Sequence, residues 1–72
     1  NGYACDALKT FITYFFDSVM GYKLIDNVAL DNLTGQRFLQ AAGFVTESVT
    51  QDAVRMIVTR MMYYKSNIGQ IQ

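Results

Sequence analysis

Cys5 offers the most distinctive side-chain chemistry, because it is the only cysteine in a 72-residue chain that has no histidine. It lies four residues before Lys9 near the start of a predicted helix, and a helix N-terminus and a nearby cation both favour a reactive thiolate. A disulfide between two copies of the chain in an oxidising compartment is a second interpretation. A small, half-buried apolar side chain is a third. The sequence leaves these three open, although the lack of histidine excludes a Ser-His or Cys-His nucleophile.

Asn32 begins the triplet Asn32-Leu33-Thr34, which matches the N-glycosylation sequon. An asparagine here serves equally well in a turn. The neighbouring Asp26 and Asp31 do not have the ligand spacing of an EF-hand calcium loop, so we interpret them as capping and turn residues. One cysteine without histidine also supplies no zinc-ligand set. We therefore expect no metal and no other cofactor, and without paired carboxylates we expect no enzyme.

The charge of the chain argues against nucleic acid and membrane partners. Six Lys and Arg residues balance six Asp and Glu residues, whereas nucleic-acid-binding domains normally carry a basic excess. The sequence has no uncharged apolar run of about 18 residues, the length that a membrane-spanning helix needs. The polar face of the first predicted helix carries Asp6 and Asp17 against Lys9, whereas interfacial membrane helices have a strongly cationic face.

The N-terminal segment, residues 3–20, has the apolar spacing of an amphipathic helix. At about 100° per residue, one broad face collects the apolar side chains, and the polar ones gather opposite. Gly21 is a suitable residue to end this helix. The side chains on this face are Ala4, Leu8, Phe11, Ile12, Phe15, Val19 and Tyr22.

The C-terminal segment, residues 50–66, is predicted to form a second long helix. Ser48-x-x-Gln51 fits a capping box, and Thr50 is a competing N-cap. Val54, Ile57, Val58 and Met61 then recur at the spacing of a helical stripe. Met56 and Tyr63 lie on roughly the opposite side, which predicts that this helix contacts something on two faces.

The middle of the chain is predicted to contain two shorter helical pieces. Residues 24–33 are interpreted as one or two helical turns followed by a break. Thr34 is the predicted N-cap of a helix over residues 35–44, with Phe38, Leu39 and Ala42 facing the core. The predicted fold is therefore an all-α bundle of three or four helices in a single domain, residues 1–72.

Cys5, which stands just before Ala7 and Leu8, resembles the first cysteine of the secretoglobins. These are secreted, four-helix chains of similar length that enclose an apolar pocket between disulfide-linked subunits. The second cysteine of that family, near the C-terminus, is absent here. The resemblance implies a secreted, dimeric carrier of a small apolar ligand, with Cys5 in an interchain disulfide.

The size of the chain predicts dependence on a partner. A domain this short buries only roughly 60% of its unfolded surface, and this chain can form neither an internal disulfide nor a zinc site. The predicted function is a non-enzymatic helical assembly subunit, working with itself or other proteins, with the carrier as the alternative. The predicted interface residues are Tyr14, Phe16, Met56 and Tyr63, which lie off the centres of their helical stripes. A secreted or extracellular location is slightly favoured.

Overall fold

The computed structural model describes the backbone of residues 2–71 and the side chains of residues 4–65. The elements in chain order are α1 (Gly2–Asp17), β1 (Lys23–Ala29), α2 (Leu33–Ala41), β2 (Val45–Val49), β3 (Ala53–Thr59) and α3 (Arg60–Ile71). The strands form one antiparallel sheet in the order β1-β3-β2. The prediction of an all-α bundle is therefore wrong, and the fold is α/β.

The predicted helix over residues 50–66 is wrong over Ala53–Thr59, which form β3, whereas the part from Arg60 onward is helical and belongs to α3. Val54, Met56 and Val58 are buried at every second position, and the intervening Arg55 is exposed. This short apolar run fits both the helical and the strand period, so periodicity alone does not decide between them. Its β-branched side chains favour the strand, because they pack well on a pleated surface.

The helix-start signal near residue 50 comes from the turn that joins β2 to β3. The hydroxyl oxygen of Thr50 accepts hydrogen bonds from the backbone N–H groups of Asp52 (3.3 Å) and Ala53 (3.1 Å). A helix N-cap makes the same kind of bonds to the residues that follow it. The capping interpretation therefore identified a true side-chain-to-backbone contact but assigned it to the wrong element.

The second predicted helical piece, residues 24–33, is replaced by β1 and a turn. The following helix, α2, begins two residues earlier than predicted, and its N-cap is Asn32 rather than Thr34. This helix ends at Ala41, and Gly43 then adopts a φ of 109°, a conformation that favours glycine.

The first helix, α1, begins at Gly2, one residue before the predicted range of residues 3–20, and ends at Asp17. After α1, the residue with a left-handed backbone conformation is Met20, with a φ of 63°, rather than Gly21. The N–H of Gly21 donates to the carbonyl oxygen of Phe15 at 2.9 Å. The guanidinium of Arg60 in turn donates to the carbonyl oxygen of Gly21 at 2.6 Å, which ties the end of α1 to the start of α3.

Both α1 and α2 pack on one face of the sheet, which we call the core face. The register places Leu24 opposite Val58 and Val28 opposite Val54, so the side chains of these pairs lie on this face together with Met56. The buried core comprises Ile12, Phe16, Val28, Leu39, Phe44, Val54, Met56 and Val58. A cluster of this kind supplies most of the hydrophobic stabilisation of a small domain.

The opposite side of the sheet, which we call the open face, carries a row of aliphatic side chains. Ile25 pairs with Ile57, which pairs with Val45, so the row crosses all three strands. Beside it, Glu47 bonds to Lys23 at 3.0 Å and lies 3.7 Å from Arg55. Within the described part of the chain, no helix is long and apolar enough to cross a membrane.

Candidate functional site

A cavity of about 360 Å³, which we call the groove, lies where α1, β1 and the N-terminus of α2 meet. Its apolar walls come from α1, α2 and the last residues of β1, and its polar groups come from the middle of β1 and the N-cap of α2. The apolar lining is Leu8, Val28, Ala29, Phe38 and Leu39, and the polar lining is Asp26, Asn27 and Asn32. An apolar wall with a few polar groups at one end is the usual character of a small-molecule site.

Asn32 contributes to both the fold and the groove. Its Oδ1 accepts a hydrogen bond from the backbone N–H of Gly35 at 2.9 Å and so caps α2. Its Nδ2 makes no hydrogen bond within the described residues, and it carries two N–H donors. The residue therefore fixes the start of the helix with one side-chain atom and offers donors to a ligand with the other.

Gln36 fixes the turn between β1 and α2, which forms one end of the groove. Its Nε2 donates to the carbonyl oxygens of Ala29 (3.2 Å) and Leu30 (3.0 Å). The N–H of Leu30 donates to the carbonyl oxygen of Asp52 at 3.1 Å, which joins this turn to the β2–β3 turn. These bonds hold the backbone before Asn32 in place.

Asp26 is the one titratable side chain among the described residues that line the groove. It lies on β1 opposite Met56, and it is exposed. A carboxylate in this position attracts a cationic ligand and can accept a proton from it.

A second cavity, of about 470 Å³, lies on the other side of the same turn. It is lined by Leu30, Asp31, Gln51 and Asp52. Acidic side chains therefore line both cavities: Asp26 of β1 lines the groove, and Asp31 and Asp52 line the second cavity. Among the described residues, no three metal-ligating side chains come together.

Two of the predicted interface residues lie in the core of this chain. Phe16 and Met56 are both 0% exposed, so neither has surface to offer a partner in this structure. Met56 was selected because it lies off the stripe of a helix over residues 50–66. Since residues 53–59 form the strand β3, Met56 instead points to the core face.

The other predicted side chains are at least partly accessible. Tyr14 is 58% exposed on α1, and Cys5 is half-buried and unbridged within the chain. Tyr63 is half-buried, and its ring stacks on Phe16 with centroids 5.2 Å apart. Interface roles for Tyr14 and Tyr63, a disulfide at Cys5 and a glycan at Asn32 stay predictions.

The sequence interpretation missed the groove because it assigned residues 24–33 to a helix. Asp26 was considered only as a cap or turn residue, and Asn27 and Gln36 received no role at the site. The detectable signal was an extended segment followed by Asp31-Asn32 and a helical run, since ligands favour the loops after strands. Asn32 was singled out, but as a glycan acceptor or turn residue.

No family model matches the chain, and no curated protein matches it. Solved structures do match. One is a set of mutant forms of the spermidine/spermine N-acetyltransferase SpeG from Vibrio cholerae, with a TM-score of 0.80 and 23% identity over 90% of this chain and 45% of that one. Another is a chimera of that enzyme and hSSAT, with a TM-score of 0.79 and 23% identity over 88% and 44%.

A third match describes a dodecameric spermidine N-acetyltransferase from Vibrio cholerae in an intermediate state. Its TM-score is 0.76 and its identity 23%, over 88% of this chain and 43% of that one. The present chain thus spans less than half the length of the enzymes that it resembles. At this identity the likeness shows a shared fold.

This likeness overturns the functional prediction made from sequence. The predictions of a non-enzymatic helical assembly subunit and of a secretoglobin-like carrier both assumed an all-α chain. The expectation that the chain is not an enzyme rested instead on its few titratable side chains, and the match to acetyltransferase structures contradicts it. The observed sheet and helices instead have the arrangement found in part of an acetyltransferase.

Proposed function

We propose that this chain forms part of an acetyltransferase domain and contributes the groove to a site that acetylates an amine. The observation that carries the proposal is the match of the whole α/β arrangement to spermidine N-acetyltransferases, at TM-scores of 0.76 to 0.80. The groove lies inside the matched fold, between the first helix, the first strand and the second helix. The remainder of the site would come from the part of the fold that this chain does not span.

The groove has groups suited to an acyl donor. Acetyl transfer to an amine passes through a tetrahedral intermediate, in which negative charge develops on the carbonyl oxygen. The Nδ2 of Asn32 is the candidate donor to that oxygen. The apolar wall formed by Leu8, Val28 and Phe38 suits the carbon chain of a donor. An acetyl donor, when bound, supplies the activated acyl group.

The acidic side chains around the β1–α2 turn favour a cationic amine as the acceptor. Asp26 lines the groove, and Asp31 and Asp52 line the neighbouring cavity. An amine must lose a proton to attack a carbonyl carbon, and Asp26 is placed to receive a proton inside the groove. The enzymes that share this fold are named for spermidine, a cationic amine.

The test is a titration of the isotopically labelled chain with acetyl-coenzyme A, followed by amide chemical shifts. We expect saturable shifts at Asp26, Asn27, Asn32 and Gly35, which lie around the groove. Coenzyme A without the acetyl group is the control, and it should shift the amides near Asn32 less. Shifts confined to the far side of the sheet, or no shifts at millimolar donor, would contradict the proposal.

We also propose that the chain associates with itself through the exposed face of α1. Phe11 and Tyr14 are exposed on this helix, and one of the enzymes of similar fold is described as dodecameric. Analytical ultracentrifugation of the wild type and of Tyr14→Ser should show a weaker association for the variant. A monomeric wild-type chain at high micromolar concentration would contradict this second proposal.

A further inference from the structure

We infer that Met20 is a modification site, at which hydrogen peroxide oxidises the thioether and Arg60 binds the sulfoxide oxygen that forms. Met20 lies in the loop of residues 18–22 between α1 and β1, and Arg60 is the first residue of α3. Neither residue lines the groove, so the inference does not depend on the proposed acetyl transfer.

The sulfur of Met20 is accessible, and the loop that carries it is held in place. The residue is 62% exposed, and its φ of 63° is the only positive φ among the described residues other than glycine. The N–H of Gly21 donates to the carbonyl oxygen of Phe15 at 2.9 Å. The carbonyl oxygen of Tyr22 accepts from the N–H of Arg60, also at 2.9 Å. A small oxidant therefore reaches the thioether, while these bonds keep it beside α3.

The guanidinium of Arg60 is held next to this sulfur by neutral acceptors. Its Nη2 donates to the carbonyl oxygen of Gly21 at 2.6 Å, and its Nη1 donates to the Sδ of Met20 at 3.8 Å. A thioether is a weak acceptor, whereas a guanidinium is a strong donor. Among the described residues, no carboxylate pairs with Arg60, since both ion pairs there belong to Glu47. The half-buried cation therefore lacks a strong acceptor on its Nη1 side.

A sulfoxide oxygen supplies that acceptor at the separation that the two side chains already have. An S–O bond of about 1.5 Å and an N–H···O separation of about 2.9 Å, meeting at roughly 120°, span about 3.8 Å between sulfur and nitrogen. This span matches the observed 3.8 Å between Sδ of Met20 and Nη1 of Arg60. The new hydrogen bond is charge-assisted and therefore stronger than the present contact with sulfur.

The guanidinium also favours the oxidation itself. Because the N–H···S contact is weak, a peroxide molecule displaces it and accepts the Nη1 hydrogen bond. A lone pair of the sulfur attacks the nearer peroxide oxygen, so the S–O bond forms as the O–O bond breaks. The other oxygen takes up the proton of the first and leaves as water, which balances a two-electron oxidation of sulfur by the peroxide. The cation stabilises the negative charge that develops on the leaving oxygen.

Oxidation at this position strengthens a contact, whereas oxidation of a core methionine disrupts packing. Met56 is fully buried, so an added oxygen there would have to displace core side chains. The sulfoxide of Met20 instead stays at the surface and links the loop after α1 to α3 through Arg60. Since methionine sulfoxide is reduced enzymatically, this link is reversible.

The first test measures oxidation rates in the folded 72-residue chain treated with hydrogen peroxide. Peptide mapping by mass spectrometry reads each methionine, and Met61 is the matched control. It follows Arg60 on α3 and is 71% exposed, but its sulfur accepts no hydrogen bond among the described residues. We expect Met20 to be oxidised at least about threefold faster than Met61, because only Met20 has the assisting cation. In the urea-unfolded chain the two rates should be equal.

The second test reads the configuration at the oxidised sulfur. One lone pair of the Met20 sulfur faces the guanidinium, so oxygen should add there and give mainly one of the two sulfoxide epimers. The two methionine sulfoxide reductases each accept one epimer, and their action on the digested peptides measures the ratio. We expect an excess of at least about fivefold at Met20 and a nearly equal mixture at Met61, where no hydrogen bond orients the oxidant.

Substitutions at Arg60 isolate the role of its side chain. Arg60→Gln removes the cation and should reduce both the rate advantage and the epimer excess of Met20 to the level of Met61. Arg60→Lys keeps the charge but loses the planar fork, so it should retain only part of both effects. Circular dichroism checks that each variant is folded, because both variants alter the bond to Gly21.

The effect on stability is measured by urea unfolding before and after peroxide treatment. A Cys5→Ser background removes thiol oxidation, and Met20→Leu in that background corrects for oxidation of the other methionines. Relative to Met20→Leu, oxidation should raise the urea midpoint of the chain that keeps Met20, because the sulfoxide adds a charge-assisted bond.

Four results would each overturn the inference. They are equal oxidation rates at Met20 and Met61 in the folded chain, an equal epimer mixture at Met20, effects that persist in a folded Arg60→Gln variant, and a urea midpoint that falls when Met20 is oxidised. If Arg60→Gln does not fold, the rates and the epimer ratio of the wild-type chain still decide. Acetyl-donor binding in the groove is measured separately, so failure of one proposal leaves the other standing.

Discussion

The hydroxyl of Tyr63 donates a hydrogen bond to Asp17 Oδ2 at 3.1 Å, while its ring stacks on Phe16 at a centroid distance of 5.2 Å. One side chain of α3 thus contacts both the last residue of α1 and the centre of the core. The hydrogen bond is exposed, whereas the ring lies against a fully buried neighbour. Packing should therefore contribute more to the stability of this contact than hydrogen bonding does.

Replacing Tyr63 tests this division. Tyr63→Phe removes only the hydroxyl, and we expect a loss of about 0.5–1 kcal/mol in the free energy of unfolding. Tyr63→Ala also removes the stacked ring and should cost about 2–3 kcal/mol, below the range for fully buried aromatics because the ring is only half-buried. Urea unfolding followed by circular dichroism measures both. If the two variants were equally destabilised, the hydrogen bond and not the ring would dominate.

Alanine substitutions at Met56 and Met61 test whether these two methionines are buried and exposed as the structure describes them. Met56 is 0% exposed on β3, and Met61 is 71% exposed on α3. Met56→Ala should therefore lower the free energy of unfolding by about 2–5 kcal/mol, because it leaves a cavity in the core.

The control, Met61→Ala, should change the free energy of unfolding by less than about 0.5 kcal/mol. Thermal and urea denaturation of the two variants under the same conditions decide the point. A helix over residues 50–66 would instead place Met56 on a face away from the main stripe. A mild effect of Met56→Ala together with a large effect of Met61→Ala would support that helix and contradict the strand.

The contrast between α1 and β3 shows how much of the fold the sequence could predict. In α1 the apolar spacing continues over four turns, so only the helical period fits it. In β3, which is only seven residues long, Val54, Ile57 and Val58 fit the helical period, whereas Val54, Met56 and Val58 fit the strand period. The pairing of β3 with the adjacent β2 and with β1, which is distant in the chain, settles the choice, and the apolar spacing within β3 does not encode that pairing.

The groove was beyond prediction for the same reason. Asn32 was noticed for its sequon, but its partners in the site come from three elements: Leu8 of α1, Asp26 of β1 and Phe38 of α2. These residues meet only because residues 23–29 form a strand and not part of a helix. The cap of α2 was displaced by two residues because Asn32 and Thr34 are both good N-cap residues.

Substitutions at Asn32 can separate effects on stability from effects on ligand binding, because its Oδ1 caps α2 while its Nδ2 faces no partner among the described residues. Asn32→Ala removes the cap on Gly35 and should lower the free energy of unfolding by about 1 kcal/mol. Asn32→Asp keeps an acceptor oxygen at the helix N-terminus, where a negative charge is favourable, so stability should stay close to that of the wild type.

Both Asn32 variants lose the Nδ2 donors, so both should bind acetyl-coenzyme A more weakly. The expected weakening is about tenfold, which corresponds to the loss of an interaction of roughly 1.4 kcal/mol. Calorimetric titration measures the binding, and urea unfolding measures the stability. Wild-type binding by a stable Asn32→Asp variant would remove Asn32 from the proposed site while leaving its capping role intact.

Gly21 and Gly43 are both intolerant of a side chain, but for different physical reasons. A Cβ on Gly21 would overlap the ring of Phe15, whereas a Cβ on Gly43 would meet no atom, and only its φ of 109° opposes substitution. We expect Gly21→Ala to cost about 1–3 kcal/mol through overpacking. Gly43→Ala should cost about 1–2 kcal/mol through backbone strain.

A double-mutant cycle with Phe15→Leu distinguishes these two causes. The shorter leucine should relieve the overlap, so Gly21→Ala should cost at least about 0.5 kcal/mol less in the Phe15→Leu background than in the wild type. The cost of Gly43→Ala should be the same in both backgrounds, because its strain does not involve Phe15. If the free-energy costs of Gly21→Ala and Phe15→Leu simply added, the ring of Phe15 would not be the group that opposes a side chain at Gly21. The contact that ends α1 would then need another explanation.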